Sequence, residues 1–182
     1  MKAIPDPSAI DYLADLGTGA GFPGIPLKIV YPSIHVVLMD SLQKRIRFLE
    51  EVIARCELEG IEAVHGRAED LAKQEVFREQ FSVCVSRAVA NLSSLSEYCL
   101  PFVRTGGQFI AYKAGDTEEE IKQAGKAVRI LGGRINTEPV RFVLPGSDLN
   151  RTLVVIDKIK ATPTGYPRRS GIPAKTPLGC ES

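Results

Sequence analysis

With 182 residues, 44% of them hydrophobic and 25% charged, the chain is one domain's worth of protein, and its composition excludes a disordered, fibrous or collagen-like class. No apolar run approaches the roughly 18 residues of a membrane span, and Met1 to Pro7 contains no apolar stretch of the kind a secretory signal needs. The net charge of +1 hides an uneven distribution, −3 over residues 1–157 and +4 over residues 158–182. The four cysteines (Cys56, Cys84, Cys99, Cys180) form no Cys-x-x-Cys pair, so reduced thiols in a cytoplasm are expected rather than a zinc site or a disulfide framework.

In chain order, residues 12–16 read as a short buried strand that runs into a glycine-rich turn, and 25–31 as a short helix stopped near Pro32. A second strand over 35–39 ends in Asp40. Ser41 is the expected N-cap of a helix over 42–57, with Ile46, Leu49 and Ile53 spaced to face a core. Strands follow at 61–64 and 81–85, a helix at 92–98, and a fifth strand at 107–112. The next helix, 117–131, opens on Glu118, Glu119 and Glu120, which suit its positive end, and Gly132-Gly133 closes it. Residues 135–144 and 153–158 are two last strands without an intervening helix, so they should pair antiparallel. Beyond them lies a basic tail punctuated by Pro163, Pro167, Pro173 and Pro177, expected to be extended and suited to phosphate contacts.

Strands alternating with helices call for a mainly parallel α/β sheet covered on both faces. Five such units closed by an antiparallel hairpin make seven strands, the Rossmann-like architecture of class I S-adenosylmethionine-dependent methyltransferases. The glycine turn agrees. Four glycines lie within Gly17 to Gly24, where they allow close approach of a ligand to the main chain, and Asp40 stands where a carboxylate can accept from ribose hydroxyls. After Gly17 and Gly19, the third glycine of a dinucleotide fingerprint would fall on Phe22, followed by Pro23. Asp15 at the entrance would also repel a pyrophosphate, whereas it suits the amino group of a methionyl cofactor.

The segments Gly17-Thr-Gly-Ala-Gly-Phe-Pro-Gly-Ile-Pro-Leu-Lys28, Asp40-Ser41-Leu42-x-Lys44-Arg45, Arg67-Ala68-Glu69, Ser86-Arg87-Ala88-Val89-Ala90 and Tyr166-Pro167-Arg168-Arg169-x-Gly171-x-Pro173 together resemble the RsmG (GidB) family. Its members are bacterial methyltransferases of N7 of a guanine in 16S rRNA. The similarity runs from about Asp15 to Pro177. It implies a methyltransferase domain over 1–158 with a basic tail over 159–182, S-adenosylmethionine as cofactor, and 16S rRNA or the small ribosomal subunit as partner. By the same resemblance Gly17, Gly19 and Phe22 line the cofactor pocket, Asp40, Ser41 and Leu42 hold its ribose and adenine side, Ala68 and Glu69 flank the adenine, and Arg87 lies near cofactor and base. The family generally carries several dozen helical residues before the glycine strand, and only about fourteen precede Asp15, so a shortened N-terminus is expected.

The segment after the fourth strand lacks the Pro-Pro pattern of exocyclic-amine methyltransferases, and Cys84 and Cys99 read as core thiols rather than nucleophiles. Guanine N7 has a free lone pair and no proton, so no catalytic dyad is needed and positioning suffices, with Arg87 and Lys113 as residues near the substrate. Lys113, Arg151, Arg168, Arg169 and Lys175 are the candidate RNA contacts. His35 and His65 have no metal spacing, and a monomer with no membrane or metal partner is expected. A methyltransferase of another RNA or of a small molecule, a nicotinamide oxidoreductase and a non-catalytic RNA-binding module remain open as alternatives.

Overall fold

The computed structural model describes residues 10–87, 90–115, 117–136, 138–143 and 146–179. Ala88 and Val89 of the arginine segment, the expected strand end at Leu144, and Cys180 and Glu181 of the tail lie outside these residues.

The described residues form one sheet from β1 (Tyr12–Leu16), β2 (His35–Asp40), β3 (Ile61–His65), β4 (Phe81–Ser86), β5 (Val103–Ala114), β6 (Gly133–Ile135), β7 (Val140–Val143) and β8 (Asn150–Lys158). Its order is β3-β2-β1-β4-β5-β8-β6, with β7 also paired to β8. The first five strands run parallel, and β8 is antiparallel to β5, β6 and β7. The antiparallel close is as expected, but the strand count needs a correction. The stretch read as one strand over 135–144 is two: β6 lies along the end of β8 (Gly133↔Lys158 to Ile135↔Ile156) and β7 along its start (Val140↔Leu153 to Val143↔Asn150). Pro139, between them, has no N–H to give to a ladder, so eight strands fill seven positions.

Helices α1 (Gly24–Val30), α2 (Gln43–Arg55), α3 (Ala68–Leu71), α4 (Leu92–Cys99) and α5 (Glu118–Ile130) cover the sheet, and a short α6 (Ile172–Lys175) interrupts the tail that was expected to be extended throughout. Every residue of β4, and Leu13 to Leu16 of β1, is buried, because helices cover both faces there. One core layer gathers Leu92, Leu95, Cys99, Phe102 and Val128 with Cys84, and the other gathers Leu27, Ile46 and Leu49 with Val36 and Leu38. Ile46 and Leu49 thus face the core as their spacing predicted, and Ile53 packs at its margin. Ser41 is not the N-cap of α2. That place falls to Leu42, whose N–H donates to Asp40 Oδ1 at 3.0 Å. The acidic first turn of α5 is as read from the sequence.

The tail crosses the molecule as a strap. Arg78 donates to the carbonyls of Thr162 and Tyr166, Glu79 accepts from Thr162 N, and Ser94 Oγ donates to Pro173 O at 2.6 Å. These bonds carry residues 160–175 back to the carboxyl ends of the parallel strands, where the site is built.

Candidate functional site

The carboxyl ends of β1, β2 and β4 open a crevice where the strand order reverses, the usual ligand position in such sheets. The glycine turn leaves β1 there. Gly17 and Gly19 have φ of 68° and 63°, which glycine tolerates far better than other residues. The turn is tied to β2 by Gly17 N and Thr18 N, both donating to Met39 O, and by Gly19 N, which donates to Asp40 Oδ2 at 3.0 Å.

Asp15 lies beneath this turn and is fully buried. Its Oδ2 accepts from Thr18 Oγ1 at 2.7 Å and from Gly24 N at 2.8 Å, while its Oδ1 is buried without a partner. Burial pushes its carboxyl up to about 6, against the opposing pull of those two hydrogen bonds and of the Arg87 charge.

Two cavities flank the turn. The first, about 320 Å³, has Leu16, Gly17, Asp40 and Ser41 on one side, Arg67, Ala68 and Glu69 on another, and Leu95 and Tyr98 of α4 behind. Gly171 and Ala174 of the tail also line it. Asp40 is already engaged: Leu42 N and Gly19 N take one oxygen each, and the half-exposed Arg45 guanidinium lies 3.1 Å from Oδ2. Glu69 is buried and its Oε1 accepts from Gly171 N at 2.9 Å, so it ties the tail to α3. Of the nine residues that the resemblance assigns to the cofactor, Gly17, Asp40, Ser41, Ala68 and Glu69 converge here. Gly19 acts through its N–H to Asp40, and Leu42 is exposed and contributes its backbone.

Phe22 and Arg87 line the second and larger cavity, about 780 Å³, together with Tyr112, Lys113, Glu120 and Arg151. The Arg87 guanidinium lies 5.7 Å from the Phe22 ring centroid, a cation–π contact beside an aromatic ring that is half exposed. Burial first, and the Asp15 charge second, push the Tyr112 hydroxyl up to about 12. Lys113 is an internal cation rather than a surface one: its Nζ donates to Ala90 O at 2.7 Å and to Glu120 Oε1 at 2.6 Å. Arg168 is likewise engaged, since its backbone N and its guanidinium all donate to the fully buried Glu97. Arg169 and Lys175 are exposed.

Sequence reasoning missed Glu97, Tyr98, Glu120, Gly171 and Ala174. Gly171 lies within the Tyr166–Pro173 segment that carries the family resemblance, but nothing in its spacing says that it returns to Glu69, 102 residues earlier. Glu97 is one charge on a helix of moderate amphipathicity and carries no local signal at all.

The family model described as GidB, rRNA small subunit methyltransferase G, matches residues 3–141. The chain is 57% identical over 168 residues to a protein of Lachnoclostridium phytofermentans named ribosomal RNA small subunit methyltransferase G, covering 92% of this chain and 69% of that one. A protein of the same name from Clostridium tetani is 53% identical over 169 residues, covering 93% and 70%. Among solved structures, the fold is similar to M. jannaschii TYW2 in complex with AdoMet (TM-score 0.66, 14% identity, 82% of this chain and 69% of that one). It is also similar to the antibiotic-resistance methyltransferase Kmr (TM-score 0.62, 18% identity, 82% and 87%).

Proposed function

Because the chain belongs to the rRNA small subunit methyltransferase G (GidB) family, we propose that it transfers a methyl group from S-adenosyl-L-methionine to N7 of one guanine in the 16S rRNA of the small ribosomal subunit. The observation that carries the reading is Asp15, whose Oδ1 is buried without a partner at the base of a glycine turn. Asp15 is closed off from both cavities, so it acts through its charge: one residue from the cavity wall at Leu16, a buried carboxylate favours a cationic ligand and opposes a phosphate.

The remaining residues fit the same group. Ala68 is small, Leu95 and Tyr98 supply an apolar wall for a flat ring, and Asp40 and Glu69 supply acceptors at the rim. Ribose hydroxyls would reach Asp40 in competition with Arg45, an exposed side chain that can give way. When bound, S-adenosylmethionine supplies an electrophilic methyl group on a cationic sulfonium.

The chain's own work is then to hold the target base in line and dry. Phe22 offers a ring face for stacking, and Arg87, beside it, a planar cation for a base or its phosphate. Because N7 already has its lone pair, no residue needs to accept a proton, and the rate gain comes from orientation and electrostatics. Of the five candidate RNA contacts, Arg151, Arg169 and Lys175 have no carboxylate partner among the described residues and can meet the RNA backbone, Arg151 with its guanidinium braced on Asn150 O. The free thiols of Cys56, Cys84 and Cys99 suit a reducing cytoplasm, where the protein works as a monomer without metal or membrane.

The test is methyl transfer from labelled S-adenosylmethionine to small subunits lacking the modification, mapped by chain cleavage at N7-methylguanine. Scission at a single guanine is expected. Cofactor binding without transfer to any 16S guanine would refute the substrate, and absence of both would refute the reading as a whole.

A further inference from the structure

The larger cleft contains one carboxylate that the reaction chemistry above does not use. Glu120, in the first turn of α5, has its two oxygens in different situations. Oε1 accepts from Leu92 N and from Lys113 Nζ, both at 2.6 Å, and Lys113 is itself anchored on Ala90 O at 2.7 Å. The Glu120 side chain is 29% exposed and lines the cleft, and its hydrogen bonds among the described residues all go to Oε1, leaving Oε2 without a partner there. The carboxylate is therefore held rigidly through one oxygen, and the other remains available beside Phe22, Arg87 and Tyr112.

A carboxylate oxygen is an acceptor only. Of the RNA bases, guanine alone presents two adjacent donors, N1–H and an N2 amine, on its Watson–Crick edge, where adenine has an acceptor at N1 and no N2 amine. That edge lies across the purine from N7. A guanine held by it stacks on an aromatic ring and leaves N7 at the opposite end of the base, free for attack. Unstacked RNA bases are commonly read in this way, by edge hydrogen bonds together with aromatic stacking.

From this geometry we infer that Glu120 selects guanine in the larger cleft, its Oε2 accepting from the N1–H and N2–H edge of the target base. The inference rests on the methyltransferase reading above and names the specificity determinant of that same site. Lys113 contributes by fixing the carboxylate in place, a positioning role rather than a phosphate contact.

The test compares reconstituted small subunits that carry guanine or inosine at the target, since inosine keeps N7 and N1–H but lacks the N2 amine. Wild-type protein should show kcat/KM lower on inosine by roughly tenfold, the size of one good edge contact. Glu120→Gln can still accept from Leu92 and Lys113, yet it presents a donor to the base. It should lose at least about tenfold on guanine and discriminate guanine from inosine by less than about threefold, with an unchanged Kd for S-adenosylmethionine.

A purely structural role for Glu120 would lower both rates together and keep the wild-type ratio, which would overturn the inference. Should Glu120→Gln fail to fold, the wild type and Glu120→Asp on the same two substrates decide the matter. Equal kcat/KM of the wild type on guanine and inosine overturns it, as does an unaltered ratio in Glu120→Asp. Absence of any transfer by the wild type to the guanine particle refutes the methyltransferase reading instead, and the inference falls with it.

Discussion

Asp15 combines stability and function at a single carboxyl group. Its folded pKa of about 6 lies above the ordinary 3.8, because burial disfavours the charged form. Between about pH 4 and 6 the unfolded chain releases this proton while the folded chain retains it, so stability falls as pH rises through that window. Above pH 6 the cost is about 3 kcal/mol, the order of two pKa units. Asp15→Asn should remove it: in urea unfolding without ligand, the variant gains about 1–3 kcal/mol over wild type at pH 7.5 and loses the decline between pH 4 and 6. In calorimetry the same variant should bind S-adenosylmethionine at least about tenfold more weakly, since it removes the buried negative charge behind the cavity wall that favours a cationic ligand. Gly24 makes the neighbouring case for packing. A Cβ there would overlap Leu38 Cδ2 and stand 2.8 Å from Asp15 Oδ2. Gly24→Ala is expected to cost about 1–3 kcal/mol by urea midpoint, as overpacking does in a closed core.

Strands β1, β2 and β4 were legible as short apolar runs, which are buried on both faces, and α2 and α5 as helical periods whose apolar stripes, Ile46 and Leu49 in one and Ala124, Ala127 and Val128 in the other, turn to the core. Two errors have equally physical causes. A run of β-formers over 135–144 looks continuous in one dimension, whereas Pro139 breaks the ladder into β6 and β7. Ser41 has the right chemistry for an N-cap, but the preceding Asp40 takes the Leu42 N–H at 3.0 Å. The tail shows what local reading leaves out. Pro and Gly forbid a long helix there, yet residues 160–175 are ordered against the domain by Glu79, Glu97 and Glu69. The Glu97–Arg168 pair, with the carboxylate fully buried, is the strongest of these ties. Arg168→Ala would leave that buried carboxylate without its counter-ion, held only by the backbone N–H of residue 168, at a cost of about 3–5 kcal/mol. Hydrogen exchange should then show loss of protection at Gly171 N and Ile172 N, accompanied by weaker cofactor binding, because Gly171 and Ala174 line the smaller cavity. Unchanged protection would show that the strap is held elsewhere.

Across the molecule, the same pairing sorts cations by what they can do outside it. Lys113 and Arg168 look like RNA contacts in a list of charges, yet each is bound to a glutamate of the chain itself. Arg151 lines the open cleft, and Arg169 and Lys175 are exposed on the strap. We expect Arg151→Ala/Arg169→Ala/Lys175→Ala to reduce the slope of log K against log salt for 16S rRNA by about 0.7–0.9 per residue removed, read by filter binding. A slope equal to that of wild type would assign RNA binding to another face.

The succession of strands and helices along the chain, the glycine turn, the acid ending β2 and the segments that place the chain in its family each depend on near neighbours, so they can be read along the chain. Asp15, Asp40 and Phe22 were read in this way. Which carboxylate oxygen stays unpaired, which cation is neutralised and where the tail docks depend on contacts such as Gly171 to Glu69 and Arg168 to Glu97, which join positions 102 and 71 residues apart. Hydrogen bonds and ion pairs act through space at about 3 Å regardless of sequence separation. Only the folded chain could therefore bring Glu97 to Arg168 and set Glu120 in the cleft with a single oxygen to spare.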